Sequence, residues 1–125
     1  TTYAHDCHNL VVFSSNDADA VLAANTVISM NGGVSAVMEG KVLCAIPLSI
    51  GGILCEDSLD VLNRKFQSLL EASRIMGLNH EEPLTFLSLM SLAVSPEIKL
   101  SDQGLVDVIH KRFVPLIEEI TGAEP

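Results

Sequence analysis

Val34-Ser35-Ala36-Val37-Met38-Glu39-Gly40-Lys41-Val42-Leu43-Cys44-Ala45-Ile46 is a pair of apolar runs joined by a tripeptide with the length and chemistry of a tight turn. The pattern predicts a β-hairpin with strands over 34–38 and 42–46. Upstream, Asn31-Gly32-Gly33 reads as a helix stop, because glycine accepts the left-handed backbone that a C-cap needs. The helix it ends is predicted over 18–30, with Val21, Leu22, Ala24 and Ile28 at helical spacing. Ser14-Ser15-Asn16 offers caps, and Asp17 and Asp19 sit where the positive end of a helix dipole favours carboxylates. Before that, Leu10-Val11-Val12-Phe13 has the continuous apolar character of a strand covered on both faces.

Downstream, Pro47 ends the hairpin, and Leu48 to Leu54 is an apolar connection carrying Gly51-Gly52. Adjacent glycines there mean a turn, or a close approach of another backbone or a ligand. Glu56-Asp57-Ser58 opens a second helix, whose apolar face is Leu59, Leu62, Phe66, Leu69 and Met76 and which Gly77 closes. Leu84 to Val94 fits a strand or a short buried helix. Lys99 to Gly104 reads as a turn, Leu105 to Ile109 as a short strand, and Lys111 to Ile120 as a weakly amphipathic tail interrupted by Pro115. The expected fold is α+β, with two main helices packed on one face of a mixed sheet in β-α-β-β-α-β order. All of residues 1–125 are assigned to one domain.

The chain has 125 residues, with 7 Lys and Arg against 16 Asp and Glu, for a net charge of −9. Scattered basic residues in an acidic chain make no phosphate-neutralising patch, so nucleic acid is not an expected partner. The longest apolar stretch, Val42 to Cys55, is broken by Pro47, Ser49, Gly51 and Gly52, so no membrane span is expected. Cys7, Cys44 and Cys55 are odd in number and lack a C-x-x-C spacing, which points to a reduced, cytoplasmic setting. The chain opens at Thr1-Thr2-Tyr3 with almost no lead-in, and is expected to be a piece of a longer polypeptide, a processed chain or a partner subunit.

Chemistry-bearing side chains concentrate in His5-Asp6-Cys7-His8-Asn9, beside the Leu10–Phe13 run. His5 and His8 are ligand types, but no third or fourth ligand stands at a recognisable spacing, so no metal site is assigned to this chain. Polar residues at a strand mouth that satisfy one another and the backbone are the commoner case. A loop facing a site completed by another domain is the other. Cys7 and His8 are adjacent and would point to opposite faces of an extended strand, which argues against a Cys/His nucleophile. Cys44 and Cys55 lie in apolar runs and read as core.

Several segments in order resemble the C-terminal domain of bacterial-type adenine deaminases. They are Thr1 to Val12, Asn16-Asp17 with Ala23-Ala24-Asn25, Asn31-Gly32-Gly33, Glu39-Gly40-Lys41-Val42, Ile46 to Gly52, and Ser95 to Asp107. Cys7 stands where that family often has Ser, and Ser49 and Gly51 where it often has Pro and Ala. The resemblance implies part of an enzyme that hydrolyses adenine to hypoxanthine and ammonia in purine salvage. It further implies that a divalent metal, Mn, Fe or Zn, belongs to a separate amidohydrolase barrel and that none is bound by this chain. The expected partners are that barrel, on the same or a separate chain, adenine through the complete enzyme, and further copies in a homo-oligomer. No catalytic residue is expected in this chain, which alone should deaminate nothing; His5, Asp6, His8 and Asn9 are the expected substrate-side loop. A purely structural or oligomer-building domain is the alternative.

Overall fold

The computed structural model describes residues 1–4 and 9–117. Its elements are α1 (Asp17–Ser29), β1 (Gly33–Met38), β2 (Lys41–Pro47), α2 (Leu59–Ile75), α3 (Pro83–Ser88) with a single 3-10 turn at Leu89–Ser91, β3 (Ile98–Ser101), β4 (Gly104–Asp107) and β5 (Arg112–Val114). The fold is α+β, but the strands form two small antiparallel sheets, β1-β2 and β3-β4-β5, in place of one mixed sheet.

The hairpin is where the sequence places it. Met38 faces Lys41 across a two-residue loop, and Glu39 and Gly40 have φ of +53° and +73°, the type I′ geometry that matches strand twist. Glutamate pays a steric penalty at positive φ, and α1 offsets it. The Asp19 carboxylate accepts the Glu39 and Gly40 backbone N–H groups at 3.1 and 2.8 Å. Asp19 is itself held by Asn16, whose side chain caps the Asp19 N–H at 2.8 Å and donates to its carboxylate at 3.0 Å. One carboxylate thus ties the start of a helix to the tip of a hairpin.

Ala36 pairs with Cys44 while Val37 pairs with Val42, so Leu43 is an extra residue that bulges β2. Val34, Ala36, Cys44, Ile46 and Leu48 turn one face of the hairpin toward Leu69 and Ala72 of α2, and this cluster is the core. Strand side chains alternate, so Ser35 points the other way, and its hydroxyl donates to the Ala23 carbonyl of α1 at 3.0 Å. The two helices therefore lie on opposite faces of the hairpin, and the one-face arrangement is corrected. β1 is buried on both faces, whereas the matching α1-side residues of β2, Val42 and Ala45, stay exposed.

Helix phase separates α1 from α2. In α2 the expected Leu62, Phe66 and Leu69 turn inward, although the end residues Leu59 and Met76 are exposed. Gly77 has φ of +90°, and the Leu78 N–H reaches back to the Ser73 carbonyl at 2.9 Å, closing a Schellman-type C-cap. In α1 the period is right and the phase is not. Val21 and Ile28 are exposed, and the inner stripe is Ala20, Ala23, Ala24 and Val27, with Val27 fully buried.

The Leu10–Phe13 strand is not formed. Leu10, Val12 and Phe13 are exposed, and among the described residues the backbone partner of this run is Thr1, at Val11. A β-prone run becomes a strand only when neighbours take its N–H and C=O groups. Leu84–Val94 resolves as α3 and the 3-10 turn, with Pro83 at the first helical turn where its missing N–H costs nothing. The 99–104 turn is the tip of a hairpin, Asp102-Gln103, with β3 on its near side. The 105–109 strand corresponds to β4, and the amphipathic tail holds β5 before Pro115.

Candidate functional site

Of the substrate-side loop, His5, Asp6 and His8, with Cys7, lie outside the described residues; Asn9 is described and exposed. What the structure shows is how the residues flanking positions 5–8 are held. The Thr2 backbone N–H donates to the Gly33 carbonyl at 2.9 Å. Its hydroxyl donates to the Gly52 carbonyl at 2.8 Å and accepts the Gly33 N–H at 2.7 Å. A methyl group on Gly32 would come 2.6 Å from the Gly52 Cα, and one on Gly52 would come 3.0 Å from the Thr2 hydroxyl. Close approach of backbones is therefore what both glycine pairs provide. Ala4, next in line, is 1% exposed. On the returning side, Thr1 and Val11 exchange two backbone hydrogen bonds of 2.8 Å. The described residues on both sides of positions 5–8 are thus fastened.

Beside these residues, a cleft of about 270 Å³ opens between the 11–16 segment and the outer edge of β1. Val12, Phe13, Ser35, Val37, Leu69 and Leu84 are among its mostly apolar walls. A second cleft of about 260 Å³ lies under Tyr3, against Phe66, Leu70, Glu82 and Pro83.

Sequence reasoning passed over a polar pair later in the chain. Asp107 is buried at the end of β4. It accepts the His110 backbone N–H at 3.0 Å, lies 2.7 Å from His110 Nδ1 and 3.6 Å from Arg112 Nε. The His110 backbone N–H, then its ring, with Arg112 beyond, hold this carboxyl below the usual carboxylate range. An Asp-x-x-His spacing was the available signal, and it is a weak one because it also describes an ordinary turn clasp. Here the pair fastens the β4–β5 turn while leaving His110 mostly exposed. His80 is structural in its contacts: it stacks on Phe86 at 4.8 Å and accepts the Glu82 N–H. Burial pushes the Cys44 thiol up, away from thiolate chemistry, and Cys55 packs on the same core. Among the described residues no group of three or more His, Cys, Asp or Glu side chains is arranged to hold a metal.

Residues 1–112 match the family described as adenine deaminase C-terminal domain. The chain belongs to that family. Its relatives include adenine deaminase 2 of Shouchella clausii, 45% identical over 116 residues, which are 93% of this chain and 20% of that protein. Adenine deaminases of Clostridium botulinum and Desulfatibacillum aliphaticivorans are 41% and 37% identical over 118 residues, 94% of this chain in each case and 20% and 21% of theirs. This adenine deaminase C-terminal domain therefore spans about a fifth of the length of the curated relatives it matches. Among the described residues no helix is long and apolar enough to cross a membrane.

Proposed function

We propose that this chain serves as the C-terminal domain of a cytoplasmic adenine deaminase, a hydrolase converting adenine to hypoxanthine and ammonia in purine salvage. The domain packs on a metal-bearing amidohydrolase barrel and directs His5, Asp6, His8 and Asn9 toward the purine. The observation that carries the loop assignment is the fastened base at Thr1–Val11 and Thr2–Gly33–Gly52, which would hold a polar loop in a fixed direction. A loop built of hydrogen-bond donors and acceptors on a rigid support is what orienting a heterocycle needs. The described residues supply no metal site, so no chemical step is assigned to them; activation of water by Mn, Fe or Zn falls to the barrel. The chain alone is expected to be inactive.

The test is replacement of His5 and His8 by Ala in the intact enzyme. A fall in kcat/KM for adenine of about tenfold or more with an unmoved thermal midpoint supports the loop's role. Unchanged kinetics with a lower midpoint overturn it. The second reading, a structural or oligomer-building domain, draws on apolar side chains left in the open on β2 and the following turn, Val42, Leu43, Ile50 and Leu54. Homo-oligomer formation by the intact enzyme, lost on replacing Leu43 and Leu54 by Ser, would favour it.

A further inference from the structure

Thr1 and Thr2 bond in opposite directions. Thr1 exchanges backbone hydrogen bonds with Val11 on one side, and the Thr2 N–H donates to Gly33, the first residue of β1, on the other. Successive residues facing alternate sides is the pattern of a strand flanked by two neighbours. Followed backward past Thr1, the same direction leads into the cleft of about 270 Å³ between β1 and the 11–16 segment, whose walls include Thr1 itself. Within β1, the register with β2 turns Val34, Ala36 and Met38 inward, so the N–H and C=O groups of Ser35 and Val37 face this cleft. Among the described residues no segment pairs with them. Opposite them, Val12 and Phe13 lie exposed along the other wall.

We infer that the residues immediately preceding Thr1 in the intact polypeptide form a strand that fills this cleft, pairing antiparallel with β1 on one side and with Leu10–Phe13 on the other. The two pairings already present set the register. The residue just before Thr1 faces Ser35 and Val12, the second faces Phe13, and the third faces Val37, giving sheet order β2, β1, incoming strand, 10–13. At its base the slot is one strand wide, because Thr1 and Thr2 hydrogen-bond to Val11 on one side and Gly33 on the other. The inference rests on the reading that the chain is part of a longer enzyme, as the fivefold longer relatives suggest.

Intact mass and N-terminal sequence of the native protein come first; a polypeptide beginning at Thr1 overturns both the reading and the inference. Given a longer polypeptide, residue-resolved hydrogen exchange on that intact enzyme tests the strand alone. The Ser35 and Val37 amides should be protected to within about tenfold of the inward-facing Ala36 amide. A second measurement places the segment: cysteine at the residue before Thr1 together with Val12→Cys should form an intramolecular disulfide on oxidation, since these two form a non-hydrogen-bonded cross-strand pair. Open-chain exchange at Ser35 and Val37 with Ala36 still protected overturns the inference and leaves the longer-enzyme reading standing. A disulfide found only between two copies overturns it in favour of a strand supplied by a second molecule.

Discussion

Residues 1–78 and residues 83–117 are held together by different kinds of bond. In the first region, polar groups reach across long stretches of sequence: Thr2 to Gly33 and Gly52, Asp19 to Glu39 and Gly40, Ser35 to Ala23. These cross-links surround the apolar cluster of Val34, Ala36, Cys44, Ile46 and Leu69. In the second region the side-chain bonds are local. Lys99 reaches Pro96, Ser101 reaches Gly104, and Asp107 clasps His110. Its sheet leaves Ile98, Leu100 and Phe113 open to solvent. The contrast teaches that the first region holds most of the core, with Leu84 of α3 packed against it, while the β3-β4-β5 sheet leaves apolar surface for something else to cover.

The largest effect should come from glycine. Gly33→Ala puts a methyl 2.1 Å from the Ile46 carbonyl oxygen at φ of +139°, whereas Gly104, at φ of +127°, has nothing within 4 Å of that position. We expect a loss of roughly 3–5 kcal/mol at Gly33 and about 1–2 kcal/mol at Gly104, read from urea midpoints. Equal losses would erase the distinction between the regions. Next, Leu69→Ala should cost about 2–4 kcal/mol by emptying the core cluster. Phe113→Ala in the isolated chain should change stability by no more than about 0.5 kcal/mol. In the intact enzyme a clearly larger cost for Phe113→Ala would sharpen the comparison, since it would mean the second sheet is covered there.

The smallest effect is a pH dependence. Asn16, then the Gly40 and Glu39 N–H groups, hold Asp19 below its ordinary carboxylate value, and His110 does the same for Asp107. A carboxylate whose folded pKa is depressed contributes stability above its ordinary value and loses it as pH falls through the folded one. Acid titration of the thermal midpoint should therefore show a decline below about pH 4. Asp19→Asn should flatten one part of that decline and Asp107→Asn the other. A variant that leaves the acid limb unchanged would show that its carboxylate contributes nothing there.

Legibility divided instead between features set by neighbouring residues and features set by distant ones. Glu39-Gly40, Asn31-Gly32-Gly33 and Gly77 announced the hairpin and the helix ends because turn chemistry is local. The phase of α1 was hidden, since alanines at 20, 23 and 24 weigh little in a hydropathy pattern while exposed Val21 and Ile28 weigh much. Leu10–Phe13 reads as a strand from its side chains, but strand formation depends on partners that no local pattern contains. β5 was missed because Arg112-Phe113-Val114 is too short to show a period. The polar density of His5 to Asn9 was plain in the sequence, while the fastening of the residues beside it was not, because Thr2 meets Gly33 and Gly52 only in the folded chain. Asp107 and His110 look unremarkable in one dimension because an Asp-x-x-His spacing also describes an ordinary turn clasp.

The Leu43 bulge has a further effect on how the hairpin behaves among other molecules. On the outer side of β2 the outward-facing positions are Val42, Ala45 and Pro47; the bulge breaks the spacing between the first two, and the third has no N–H to offer. A foreign strand arriving there would find no regular ladder to copy, so that margin is guarded against fibril-like stacking of one molecule on the next. The sheet can be extended in one direction only, through β1.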